Sequence, residues 1–387
     1  MSDSAVADLR PMDVARRLRA LRDALADGEH ACEALLVTKL VNIRYLTGFT
    51  GSAALLLVLS DRALLVTDGR YRDQAADELA AAGAEADVAI GVTAGEQAEL
   101  VAGAASGVRQ LGLEAHSVSW AQQRTMADSW FAPSTQLVAT TGAVEALRAV
   151  KDDGEVARIE AAATIATAAL VATLALLAEG PTEDAVGLAL DTAIRRLGAE
   201  STSFETIVGS GPNGAKPHHR AAGSHRRIRD GDLVVFDFGA LVDGYCSDMT
   251  RTLCLGEPTP TQRRMLDVVR ASQAAGVAAV RPGATGSEVD AACRAVIGDA
   301  GWADAFLHGT GHGVGLEIHE DPRVTGTATA TLAPGHVVTV EPGVYLPEHG
   351  GVRVEDTLVV TADGCRPLTH APKEADPAAW PPPPRTT

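Results

Sequence analysis

DLVVFDFGALVDGYCSDMTRT, residues 232–252, is the stretch on which the fold turns. Two apolar, β-prone runs flank Val242-Asp243-Gly244, and Asp-Gly is a strong signal for a tight turn, so the segment reads as a β-hairpin. Asp237 lies on the first strand and Asp248 on the second, at similar distances from the turn. They stand opposite or diagonally opposite, with Cβ atoms about 5–8 Å apart. Asp is a poor strand former, and within VVFDFG a carboxylate is costly unless it is paired or bound to metal. Either residue alone reads as a structural Asp in a turn or salt bridge. The pair asks for more.

Working outward, HVVTVEPGVYLPEHGGVRVED (residues 336–356) repeats the arrangement. Strands flank a loop at residues 347–351, and Glu341 and Glu355 stand symmetrically about it. Arg353 precedes Glu355 by two positions, which puts both on one strand face. Between the hairpins lies FLHGTGHGVGLEIHE, residues 306–320. His308 and His312 have the i, i+4 spacing of helical zinc ligands, but the glycines around them argue against a helix. Glycine there permits close approach of backbone to a site. His319 follows a short apolar run, making three histidines in this one segment of a chain with 11.

Asp237, Asp248, His312, Glu341 and Glu355 make an oxygen-rich set. It suits manganese, iron(II) or cobalt, or a dinuclear zinc site, better than a thiolate zinc site. Four negative charges balance two dications; without metal they repel, and their pKa values rise. Two metals about 3.5–4 Å apart can share a hydroxide, lower its pKa and polarise a carbonyl. The expectation is two divalent ions, manganese first, with cobalt, zinc and iron(II) as alternatives.

The rest of the chain sets bounds. Its 387 residues suggest two domains. A formal net charge of -17 argues against nucleic acid, which needs a basic face; the plain reading of the acidity is solubility. Five cysteines without C-x-x-C spacing suggest neither a disulfide framework nor a thiolate zinc site, and fit a reducing cytoplasm. The N-terminus is charged and amphipathic, with no apolar signal core. Residues 161–178 are uncharged and about long enough to span a bilayer. They are alanine- and threonine-rich, however, and read as a buried helix, so no membrane partner is expected.

Short apolar runs at residues 34–38, 54–59 and 63–68, a helix over 71–82 ended by Gly83, and a last strand at 136–139 describe an N-terminal α/β domain. The polar stretch LRAVKDDGE marks the boundary, giving domains of 1–146 and 147–370. Helices are expected over 155–178, 182–197, 260–280 and 287–300. The Pro-rich tail, 371–387, reads as disordered. Gly209-Ser210-Gly211-Pro212-Asn213-Gly214 matches G-x-G-x-x-G, but Pro217 opposes the helix that a dinucleotide site requires.

At FDFGALVDGYCSDMTRT, LHGTGHGVGLEIHE, VEPGVY and VRVEDT the sequence resembles the pita-bread metallopeptidases: methionine aminopeptidase, Xaa-Pro aminopeptidase (aminopeptidase P) and prolidase. NIRYLTGFTGSAALLLVL…LLVTDGRYRDQA is similar to the N-terminal domain that creatinase and prolidase share, and the likeness covers residues 16–370. It implies an α+β fold, a pita-bread catalytic domain after a smaller α/β domain. By resemblance, Asp237 would chelate one metal, Asp248 and Glu355 would bridge both, and His312 and Glu341 would complete the other. Glu341 is also implied as general base. His319 would contact the scissile group, His308 would line the pocket for the residue after the cleaved bond, and His218 matches an active-site histidine, with His219 a weaker match. Arg353 would orient the bridging carboxylates. With all five ligand types intact, a creatinase-like metal-free mechanism is disfavoured. The implied activity is hydrolysis of the N-terminal Xaa-Pro bond of peptides with proline second, by a homodimer. A strict Xaa-Pro dipeptidase is the alternative, and a non-catalytic scaffold a remote one.

Overall fold

The computed structural model describes residues 6, 9–26 and 31–382. Most of the extreme N-terminus and residues 383–387 of the tail, read above from composition, lie outside that range. Packing divides the chain into Met12–Arg148 and a larger unit of Met1–Pro11 with Ala149–Thr387.

The smaller unit is a six-stranded mixed sheet of β1 (Ala34–Val37), β2 (Ala54–Leu59), β3 (Ala63–Thr67), β4 (Asp87–Ile90), β5 (Gln110–Glu114) and β6 (Gln136–Thr140), in the order β4-β3-β2-β1-β5-β6. β2 pairs antiparallel with β1 and β3, whereas β4, β5 and β6 join in parallel. The helix Arg72–Ala82 ends on Gly83 at φ 65°, a left-handed cap that favours glycine. The expected break at 146/147 comes two residues early. Helix Ala143–Ala149 holds Val144 in this unit's core, and Arg148 Nη1 donates to Asn42 Oδ1 at 2.8 Å.

The larger unit contains β7 (Ser201–Thr202), β8 (Ile207–Ser210), β9 (Leu233–Phe238), β10 (Ala240–Val242), β11 (Tyr245–Cys246), β12 (Met249–Cys254), β13 (Gly311–Gly313), β14 (Glu320–Val324), β15 (Val337–Val340), β16 (Gly343–Leu346), β17 (Gly350–Arg353), β18 (Asp356–Val360) and β19 (Cys365–Pro367). Two α/β layers form its core. In one, Val208, Phe236, Phe238 and Leu253 pack with Ile165, Leu170, Leu190 and Ile194 of helices Asp153–Thr173 and Glu183–Arg196. In the other, Val338, Val340, Leu358 and Val360 pack with Met265, Val269, Val289 and Ile297 of helices Pro260–Ala279 and Gly286–Asp299. Each fully buried aliphatic side chain contributes roughly 1.5–3 kcal/mol. Helix starts are written in the sequence as capping boxes at Asp152/Glu155, Thr259/Gln262 and Thr285/Glu288. Asp153–Glu179 is long and apolar enough to cross a membrane, but Ala162, Ile165, Ala166, Ala169 and Leu170 face the first core.

Two expectations are corrected. The first unit does not begin at residue 1: Val6 and Leu9 pack against the larger unit's core, and Arg158 Nη1 donates to Arg10 O at 2.8 Å. Nor is the tail disordered over the described residues 371–382. Arg251, itself buried, donates to Pro372 O at 2.7 Å and Ala371 O at 2.8 Å, and Cys254 N donates to Ala375 O at 2.8 Å. Trp380 is buried, with Nε1 on Glu374 O at 2.9 Å. A proline-rich chain still offers carbonyl acceptors, and one tryptophan buries enough apolar surface to dock it.

Candidate metal centre

Both hairpins form, and each is interrupted where a carboxylate is needed. In the first, Asp243 and Gly244 have φ values of 46° and 74°, the left-handed pair that a type I′ turn demands. The register pairs Val242 with Tyr245 and Phe238 with Met249, so Asp237 lies opposite Thr250 and diagonal to Asp248. The ladder breaks at Gly239, where a Cβ would lie 1.8 Å from Ser247 O. In the second, β15 pairs with β18 up to Val340–Asp356, and β16 pairs with β17 from Gly343–Arg353. Glu341 and Glu355 face each other in the gap. The loop is shorter than expected, because Gly350 and Gly351 belong to β17.

The hairpins are stitched side by side. Glu355 N donates to Thr250 O at 3.1 Å, Arg353 N to Thr252 Oγ1 at 3.0 Å, and Thr357 Oγ1 to Asp248 O at 2.9 Å. Strand β13, not a helix, delivers His312. Its flanking glycines let it pass between β14 and β15: a Cβ would lie 2.1 Å from Thr339 O at Gly311 and 2.3 Å from Asp321 O at Gly313.

His312 Nδ1 lies 3.0 Å from Gly313 O, so Nδ1 is the protonated nitrogen and Nε2 presents its lone pair. Burial lowers its pKa to about 3, which keeps it neutral. Nε2 sits 3.5 Å from Asp248 Oδ2 and 3.4 Å from Glu341 Oε1. Ligand atoms of Asp248, His312 and Glu355 lie within 4.8 Å of one another. Asp248 Oδ1 and Glu355 Oε1 are buried with no hydrogen-bond donor. Burial, reinforced by Glu355, Asp237 and Glu341, pushes Asp248 well above the usual carboxylate range. Burial and then Glu355 do the same to Glu341, and burial and then Asp237 raise Glu355 to about 8. Mutually repelling carboxylates, two of whose buried oxygens have no donor, around a neutral imidazole fit divalent cations.

Arg353 corrects a resemblance-based expectation. It makes no hydrogen bond to Asp248. Nη2 donates to Asp237 Oδ2 at 2.5 Å, and Nε donates to Thr250 Oγ1 at 3.0 Å, which in turn donates to Glu355 Oε2 at 2.7 Å. Asp237 is therefore held directly and Glu355 through Thr250. Arg353 Nη1 also donates to Tyr345 OH at 2.7 Å, and that hydroxyl lies 2.7 Å from His308 Nε2. His308 Nδ1 is 2.8 Å from Gly309 O, so Tyr345 is the donor to Nε2. Burial, with Arg353 adding to it, lowers His308 to about 4, and burial raises Tyr345 to about 12.

Asp237, Asp248, His312, Glu341, Glu355, His218, His308, His319 and Arg353 all line one cavity of about 410 Å³. The ring of His319 stands edge-on to His312, with centroids 4.3 Å apart. His219 does not reach the cavity wall; it turns to Glu183 at 2.9 Å. The G-x-G-x-x-G segment leads into a short 3-10 turn, Gly211–Asn213, not an α-helix. Sequence reasoning missed Tyr345, Thr250 and Arg323. Tyr345 sits within the quoted VEPGVY and reads there as an ordinary strand aromatic. Arg323 lines the cavity from β14, and among the described residues it makes no ion pair.

Carboxylates and a histidine delivered by paired hairpins in a two-layer domain define a metal-dependent hydrolase with the pita-bread fold. The chain belongs to metallopeptidase family M24: residues 157–362 match that family, and residues 17–150 match the creatinase/prolidase N-terminal domain. It is 41% identical over 347 residues to an uncharacterized peptidase of Bacillus subtilis, covering 90% of this chain and 96% of the relative. The structure of an Xaa-Pro dipeptidase from Bacillus anthracis superposes with a TM-score of 0.87 at 37% identity, covering 94% of this chain and 99% of that one. An X-Pro aminopeptidase from Thermotoga maritima gives 0.82 at 31% identity, covering 89% and 97%.

Proposed function

We propose that this chain hydrolyses the bond before proline in Xaa-Pro dipeptides, with divalent metal held by Asp237, Asp248, His312, Glu341 and Glu355. The observation that carries the metal reading is the pair of buried, undonated oxygens, Asp248 Oδ1 and Glu355 Oε1, beside the free lone pair of His312. Bound ions would supply an activated water and polarise the scissile carbonyl. Manganese is the first choice for so oxygen-rich a set. Glu341, at the cavity wall beside His312, serves as general base as well as ligand. His319, kept neutral by burial, donates an N–H to the oxyanion that develops on the carbonyl oxygen. Arg353 holds Asp237 and, through Thr250, Glu355 in place. His308 and His218 line the wall for the residue after the cleaved bond. The prolyl nitrogen carries no N–H and leaves only when protonated, which gives Glu341 a second task as proton donor.

The dipeptide reading takes precedence over cleavage of longer peptides on two grounds. The Bacillus anthracis dipeptidase is more similar than the Thermotoga maritima aminopeptidase. Arg323 places on the cavity wall a cation with no carboxylate partner among the described residues, suited to the free carboxylate of a dipeptide. The aminopeptidase reading keeps the support of the Thermotoga likeness. Hydrolysis of Xaa-Pro beside Xaa-Pro-Pro and longer peptides separates them: a strict preference for the dipeptide is expected, and equal turnover of long peptides would favour the aminopeptidase. Arg323→Leu is expected to raise KM for Xaa-Pro about 10- to 100-fold, the worth of one charge-assisted hydrogen bond. A homodimer in a reducing cytoplasm completes the proposal; the five cysteines are free thiols.

A further inference from the structure

The glycine-rich segment that resembles a phosphate loop binds an anion of its own. Glu183, the first residue of helix Glu183–Arg196, is 0% exposed. Its Oε1 accepts from Ser210 N at 2.7 Å and Ser210 Oγ at 2.6 Å. Its Oε2 accepts from Asn213 Nδ2 at 2.9 Å and from Ser224 Oγ, and lies 2.9 Å from His219 Nε2. Five donors from one loop thus converge on one carboxylate. Burial alone would raise its pKa, yet the hydrogen bonds from Ser210, Ser224 and Asn213 hold it below the usual value. An ionised carboxylate only accepts, so His219 Nε2 is the donor.

The helix start holds the same loop by two further bonds: Glu183 N donates to Arg226 O at 3.0 Å, and Gly223 N donates to the Asp184 side chain, Oδ1, at 3.0 Å. At its far side the loop meets the metal-site hairpin. Arg353 Nη1 donates to Pro217 O at 3.4 Å, and a Cβ at Gly351 would lie 1.9 Å from Gly214 O. Pro217 and His218 line the cavity, and His219, the next residue, turns back to Glu183.

We propose that Glu183 is a positioning residue for catalysis: by gathering Ser210, Asn213, His219 and Ser224 it fixes the loop so that His218 is presented to substrate at the cavity wall. The proposal rests on the substrate-contacting role given to His218 above. Glu183→Gln keeps the volume but turns one acceptor into a donor that faces other donors, freeing the loop on that side.

A double-mutant cycle tests it on the full-length, metal-loaded enzyme, with kcat and KM for an Xaa-Pro dipeptide, metal content and thermal unfolding read for each variant. Glu183→Gln is expected to lower kcat/KM about 10- to 100-fold, the usual cost of loosening a group that orients a site residue, with metal content unchanged. In a His218→Ala background the same change is expected to cost less than about twofold. An equal loss in both backgrounds, or loss of bound metal in step with activity, overturns the proposal. Should His218→Ala alone leave kcat/KM unchanged, the role of His218 falls; should it lower activity while Glu183→Gln does not, only the role of Glu183 falls. If Glu183→Gln does not fold, Ser224→Ala removes a single bond at the loop's end, and the same non-additivity with His218→Ala is expected, additivity being the contrary result.

Discussion

Glu355 illustrates how the site works at the scale of one residue. It is buried beside three other carboxylates, one oxygen held by Thr250 and the other without a donor. Its folded value of about 8 lies above the ordinary 4.5. Without metal the folded protein therefore binds this proton more tightly than the unfolded chain does. Its contribution to stability is full below about 4.5 and is lost as pH rises toward about 8. Metal-stripped protein is accordingly expected to melt at lower temperature at pH 8 than at pH 5. Glu355→Gln should flatten that slope, and added manganese should reverse it with release of protons; a metal-free melting curve indifferent to pH would count against this picture. Glu341→Gln should lower kcat by about 10²–10⁴-fold, or abolish measurable turnover, while the chain stays folded; near-normal activity would remove Glu341 from its role. The carboxylates were legible in the sequence because an Asp-Gly turn and a loop place each pair symmetrically. Tyr345 was not, since its importance lies in two contacts, Arg353 and His308, that only the folded hairpin brings within 2.7 Å.

At the scale of elements, the ligands depend on ladders that stop at defined places. Gly239 is the clearest case, since any side chain there meets Ser247 O. Gly239→Ala is expected to destabilise the protein by about 1–3 kcal/mol in urea titrations and to weaken metal binding. A variant with wild-type stability and metal content would show that the break between Asp237 and Asp248 is not tightly specified. Alternation and turn residues made both hairpins readable. The passage of β13 between two strands was readable only as a prohibition on helix, because glycine indicates room for a close approach without naming the neighbour. The G-x-G-x-x-G segment misleads for a similar reason: Ser210 and Asn213 do hold an anion, mostly through side chains, and the anion is the chain's own Glu183.

At the scale of the whole molecule, composition misjudged the C-terminal segment. Residues 371–382 carry no periodic pattern, yet Arg251 supplies buried donors that the carbonyls of Ala371 and Pro372 satisfy. Arg251 also donates to Thr250 O at 2.9 Å, to Glu355 O and to Asp356 Oδ1 at 2.7 Å, so the segment braces the backbone beneath two site residues. Trp380→Ala should cost about 3 kcal/mol of stability, as removal of a buried aromatic does, and truncation after His370 should lower both melting temperature and metal affinity. Wild-type behaviour of the truncated chain would return the segment to the status of a loose end. The central claim, that five side chains from paired hairpins and one glycine-flanked strand hold two divalent ions, is tested most directly by metal analysis of the purified chain after equilibration with manganese. Two ions per chain are expected, with occupancy lost in Asp248→Ala and Glu355→Ala variants that remain folded; a folded wild-type chain that retains no divalent metal after supplementation would contradict it.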